Sequence, residues 1–179
     1  TFRKAPKFFD VVTYTGTETV QNLSHNLGVT PGVVIIKQTN GTGVWYTWHR
    51  GLPGLNYGLE LNSTAAQDFQ PAIQDVSDSY FTPANNGAVN GLNNTFVAYL
   101  FAHNDNDGGF NGGDIIKCGS YTGNGVNLGG PTVTLGFEPQ WLLIKNASAA
   151  GGWTLVDNMR GLPNGDADAA KLRADTSDA

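Results

Sequence analysis

Charge is scarce in this chain of 179 residues: Asp, Glu, Lys and Arg make up only 14% of it, against roughly 25% in an average soluble protein. Glutamate occurs only as Glu18, Glu60 and Glu138. Helix surfaces are usually furnished with Glu, Lys, Arg and Ala, so the shortage speaks against a helical protein. Lys and Arg number 10 against 15 acidic residues, and no basic run exists to neutralise phosphates, which argues against a nucleic-acid partner. No apolar stretch approaches the roughly 18–20 residues that cross a bilayer, so no membrane insertion is expected. Cys118 is the single cysteine and cannot form an internal disulfide, which leaves the redox compartment open.

What the chain has in plenty is turn chemistry. Gly, Asn, Thr and Ser together supply 66 residues, 24 of them glycine. Val, Thr and aromatics suit short strands, and Gly and Asn suit the tight turns between them. Glycine follows no three-residue period, which excludes collagen. With 40% hydrophobic and 11% aromatic residues the chain can bury a core, so disorder is not expected.

Part of the sequence repeats itself in order. Tyr14-Thr15-Gly16 recurs as Tyr121-Thr122-Gly123, and Leu27-Gly28-Val29-Thr30-Pro31 as Leu135-Gly136-Phe137-Glu138-Pro139. The apolar run Val33–Lys37 recurs as Trp141–Lys145, Trp45 as Trp153, and Arg50-Gly51-Leu52-Pro53 as Arg160-Gly161-Leu162-Pro163. A weaker echo sets Leu59–Ala66 against Leu172–Ala179. Leu-Gly-x-x-Pro reads as a turn, because glycine tolerates positive φ and proline forbids a continuing ladder. The short apolar runs after it read as buried strands. Each is followed by a Gly/Asn/Ser turn and a second strand, Val44–His49 or Trp153–Asn158, which together make a hairpin. Phe8–Thr15 and Phe96–Phe101 are further strands, and Asp166–Arg173 allows at most two helical turns.

The expected fold is therefore all-β: two tandem pseudo-repeated antiparallel β-sandwich units of jelly-roll type, the second incomplete. Residues 1–104 form the first, its residues 1–10 resembling the tail of a preceding repeat. Residues 105–114 are an Asn/Asp/Gly-rich linker, and 115–179 the second unit, without counterparts of the strands around Phe81 and Phe96–Phe101. The phase suggests a window from a longer array whose last unit is completed by strand addition from another chain.

Side-chain chemistry is thin. His25, His49 and His103 stand apart without metal-binding spacing, and no nucleophile elbow, P-loop or dinucleotide fingerprint occurs. The second copy has Val133 at the place of His25, and a structural role is preferred for all three histidines. Cys118 is expected to be a buried, inert thiol. The stretch His103–Asp114 sets Asp105, Asp107 and Asp114 at calcium-loop positions, where hard oxygen ligands suit Ca²⁺. Histidine in the first position and Asp in the last weigh against it, so a linker is preferred and no cofactor is expected. Tyr46 and Trp48 share one strand face, with Arg50 just beyond, and could stack on sugar rings if exposed; ordinary core packing is the preferred alternative. Trp45, repeated as Trp153, reads as a core anchor. A glycoside hydrolase needs a carboxylate pair, but neither Glu18 nor Glu60 has an acidic mate in the other copy, and no catalytic residue is expected. Asn-x-Ser/Thr sequons, among them those at Asn22, Asn62, Asn93 and Asn146, are no more than this composition produces by chance.

Several blocks carry a resemblance: Thr1–Gly16, Ser24-His25-Asn26-Leu27-Gly28, Asn62-Ser63-Thr64, Phe96–Phe101, Ile116–Tyr121 and Val156–Gly161. In these the chain resembles a repeated β domain of structural proteins of marine tailed phages, especially cyanophage tail-fibre and virion proteins. The resemblance implies a virion structural protein, extracellular on the tail appendage, and no catalytic residues. Analogy with fibres implies self-association as a homotrimer beside other tail proteins, with a host-surface glycan or receptor as a further partner. A lectin-like carbohydrate-binding module and a bacterial surface-filament subunit are the rival readings.

Overall fold

A computed structural model describes residues 3–105, 109, 112–126, 129–160 and 171–176. The protein is all-β and its paired strands run antiparallel. Strand β1 (Phe9–Thr15) lies at one edge of a five-stranded sheet, followed by β8 (Thr95–Phe101), β3 (Val33–Gln38), β4 (Tyr46–His49) and β5 (Leu59–Glu60). A three-stranded sheet holds β2 (Leu23–Ser24), β7 (Tyr80–Pro83) and β6 (Ile73–Val76). The helical turn α1 (Gly87–Asn90) is capped by Asn86, whose side chain accepts from the N–H groups of Ala88 and Val89.

The core lies between these layers. Tyr14, Phe96, Ala98, Leu100, Val34, Ile36 and Trp48 project from one face of the large sheet. Ile73 and Phe81 meet them from the small sheet, and Leu27, Ala72, Ala84 and Val89 come from the loops and α1. Period-two alternation sets this up: in β8 Phe96, Ala98 and Leu100 are buried while Thr95 is exposed. Buried asparagines then tie loops to the core. The side chain of Asn90 donates to Thr19 O (2.8 Å) and accepts from Thr17 N and Gln21 Nε2. The side chain of Asn104 donates to Lys7 O and accepts from Ile115 N and Ile116 N.

A second hairpin, β9 (Trp141–Ile144) with β10 (Thr154–Asp157), follows further along. Its register is that of β3–β4 with every partner advanced by 108 residues: Val33↔His49 becomes Trp141↔Asp157, and Ile36↔Tyr46 becomes Ile144↔Thr154. The turn before each hairpin repeats too, with Gly28 at φ 71° and Gly136 at φ 85°, a region open to glycine at little cost. Thr47 pairs with Leu59, and its counterpart Leu155 bridges to Leu172. Trp45 N donates to the Asn62 side chain (2.8 Å), and Trp153 N to that of Asp175 (2.7 Å). Asp166–Ala170 and Gly161-Leu162-Pro163 lie outside the described residues.

Candidate functional site

Alternation along β4 decides where its aromatics go. Trp48 faces the core and is only 7% exposed, so it presents no ring to solvent. Trp48 thus packs in the core beside Val34 and Ile36, and the alternative of a sugar-stacking Tyr46–Trp48 pair, which requires both rings to be exposed, lacks that exposure at Trp48. Tyr46 is half-buried beside it and Arg50 is exposed. Tyr46, Glu60, Asp68 and Gln70 line a cleft of about 50 Å³, room for a few waters but too small for a sugar ring. Burial, then the Glu60 carboxylate, pushes the Tyr46 hydroxyl up from its ordinary value.

The opposite face of the large sheet carries a row of rings. Trp45 stacks on Tyr99 at 6.1 Å, Tyr99 on Phe9 at 6.4 Å, and Phe9 packs on Phe101 at 4.9 Å. Trp45 is thus a half-buried outer-face residue, whereas its counterpart Trp153 is buried. The difference has a local cause, because Trp153 sits against the first unit and donates through Nε1 to Glu60 O (2.9 Å).

The three histidines are built into backbone turns. Nδ1 accepts from Leu27 N in His25, from Gly51 N in His49 and from Cys118 N in His103, so Nε2 carries the hydrogen of each neutral ring. Burial leads in pushing all three below the usual histidine value, with the Arg50 charge adding to it at His49 and His103. His49, His103 and Cys118 gather around Gly32 and Gly51, where an added Cβ would strike Cys118 or His49. The Cys118 thiol bonds to Ala102 O, and burial pushes it up to about 12, so no thiolate is available to attack.

Asp105 and Asp114 do come together, on either side of Lys117, whose Nζ lies 3.6 Å from each. A lysine already supplies the positive charge that a cation would bring. Asp107 lies outside the described residues, and no three His, Cys, Asp or Glu side chains gather for a metal among those described.

The most extensive constellation is one that single-residue reasoning misses: the joint between the two hairpin-bearing parts of the chain. Gln67 N donates to Ala147 O, Gly151 N to Thr64 O, and Lys145 Nζ reaches Thr64 O, beside the Trp153–Glu60 bond. The echo of Leu59–Ala66 in Leu172–Ala179 aligns Asn62 with Asp175 and touches the same segment, but it does not announce the joint, whose bonds are mostly between main-chain groups. Chemically the joint can hold the two hairpin-bearing parts in fixed relation. No curated protein and no solved structure matches the chain. One family model does match, over residues 5–179, and the chain belongs to that family, described as Domain of unknown function (DUF7483).

Proposed function

We propose that the chain is a structural β domain of a bacteriophage virion appendage, a tail fibre or related tail protein, working outside the cell and contributing to host attachment. It acts as a scaffold and not as an enzyme. The observation that carries this reading is the joint: a second hairpin in the register of the first, bonded backbone to backbone onto residues 64–67. Repetition of a β unit with a rigid connection is what an extended appendage requires, and the resemblance to cyanophage tail proteins points the same way. Other copies of the chain, as a homotrimer, and neighbouring tail proteins are its partners, and a host glycan or receptor is the target of its loops.

A glycan-recognising module is the second reading; in the row Trp45–Tyr99–Phe9–Phe101 the half-buried Trp45, Tyr99 and Phe101 would be its contact rings, while Phe9 beneath them is buried. Light scattering on the purified chain separates the two. Appendage assembly predicts a stable self-associated species, with a mass three times that of the chain as the first expectation. A folded monomer at every concentration would overturn the appendage reading and make glycan screening the next step.

A further inference from the structure

The joint shows what covers the loop of the second hairpin, and the first hairpin carries the same loop uncovered. The offset of 108 residues holds at both ends of the hairpin, so Lys37–Trp45 matches Lys145–Trp153 residue for residue. Four groups of the second loop reach the first unit. Ala147 O accepts from Gln67 N, Gly151 N donates to Thr64 O, Trp153 Nε1 donates to Glu60 O, and Lys145 Nζ reaches Thr64 O. Their counterparts are Thr39 O, Gly43 N, Trp45 Nε1 and Lys37 Nζ. Lys37 repeats even the local bond of its counterpart, donating to Gln38 O at 2.9 Å as Lys145 donates to Asn146 O at 2.8 Å.

The other three counterparts stand ready but unused. Residues 39–43 are exposed, and among the described residues Thr39 O, Gly43 N and Trp45 Nε1 have no hydrogen-bond partner. The two tryptophans start from the same backbone, since Trp45 N is held by the side chain of Asn62 and Trp153 N by that of Asp175. They end differently. Trp153 is 5% exposed, whereas Trp45 is half-buried and its ring rests on Tyr99. What Trp153 has and Trp45 lacks is a neighbouring unit to meet.

We propose that the loop Lys37–Trp45 is a docking surface for a further unit of this same repeat, which seats on it through its own counterpart of Glu60–Gln67. The joint itself names the occupant, because there that segment covers the matching loop. Glu60 O, Thr64 O and Gln67 N are all main-chain groups, so any unit that repeats this backbone path supplies them whatever its side chains. Trp45 adds the apolar part: its ring leaves water as that of Trp153 does, and its N–H gains an acceptor. The contact is head-to-tail, with a 60–67 segment on one unit and a 37–45 loop on the next, so it propagates and does not close on itself. It stands on the joint alone and needs neither a virion nor a trimer.

The test lengthens the full chain by one unit, placing residues 1–107 once more ahead of Thr1 to keep the spacing of Tyr14 from Tyr121. The original Trp45 then lies in the middle unit and the added one at the free end. Trp45→Phe in each copy in turn identifies the two indole N–H signals by NMR. The middle indole is expected to exchange as slowly as that of Trp153, and the outer one as fast as that of Trp45 in the unmodified chain. Gly43→Pro in the middle unit removes the N–H that meets the added unit, and the protection is lost. A folded long chain whose middle indole exchanges as fast as the outer one would overturn the inference; if the unmodified chain is nevertheless a trimer by light scattering, the appendage reading stands. The unmodified chain gives a second measurement that needs no new fold. A synthetic peptide of residues 58–70 is expected to shift the Gly43 N–H and the Trp45 indole and to leave the buried Trp48 indole in place. No shift at either group with millimolar peptide overturns the docking surface. A neutral oligosaccharide that moves the Trp45 indole where the peptide does not would assign the surface to a glycan and overturn it likewise.

Discussion

Trp48 places the largest of side chains in the core with its indole N–H buried and without a hydrogen-bond partner. Its value to the fold is therefore its apolar bulk, and the unpaired polar atom is a desolvation cost set against it. Trp48→Phe is expected to cost about 1–2 kcal/mol, because it gives up volume but no hydrogen bond, while Trp48→Ala costs about 3–5 kcal/mol through the cavity it leaves. Urea unfolding of the two variants checks the difference; a Trp48→Phe cost as large as about 3 kcal/mol would mean that the N–H has an acceptor. Period two showed in the sequence that Tyr46 and Trp48 share a face, but not which face the sheet would turn inward. That choice belongs to Val34 and Ile36 on the neighbouring strand. Asn90 and Asn104 were still less legible. An asparagine in a Gly/Asn-rich stretch looks like any turn residue until the loops it ties are known.

Elements with a continuous apolar run were readable: β3, β8 and β9 stand within a residue or two of their expected limits. The two-residue strands β2 and β5 were not, since so short a segment has no period, and β6 is irregular between Ile73 and Asp75. The hairpin β9–β10 is held from outside by Trp153, whose side-chain N–H bonds Glu60 O. Trp153→Phe removes that bond, worth about 0.5–1.5 kcal/mol, and weakens the hairpin's support, leaving the backbone bonds of residues 64–67. Hydrogen exchange is then expected to rise across residues 141–157 and to stay unchanged in β1, β3 and β8. Faster exchange throughout would show that the two parts unfold as one unit. The joint itself was hard to foresee because it is made mostly by main-chain groups, which every sequence supplies.

For the molecule as a whole, acid is the expected weak point. All three histidines titrate below their ordinary 6.5 in the folded state, burial being the main cause. The unfolded chain then binds protons more readily, so stability is full above pH 6.5 and is lost as pH falls from there toward the folded-state values. The melting temperature should drop between pH 7 and pH 5, and less steeply in His25→Asn, whose Oδ1 can still accept from Leu27 N. An identical slope in that variant would assign the acid sensitivity elsewhere. Asp10 extends the same trend lower: burial raises its carboxyl, but Lys4 and the N–H groups of Asn26 and Val11 outweigh that and bring it below 3.8. A different consequence follows from the order of the large sheet. Strand β8 sits between β1 and β3 and comes after every other strand of the first unit. During synthesis the ribosome delivers β1, β3 and the small sheet while the slot between them is still empty. Only the arrival of Thr95–Phe101 lets the core shut, so folding of this unit waits on its last strand and is slow, as long-range β pairing is.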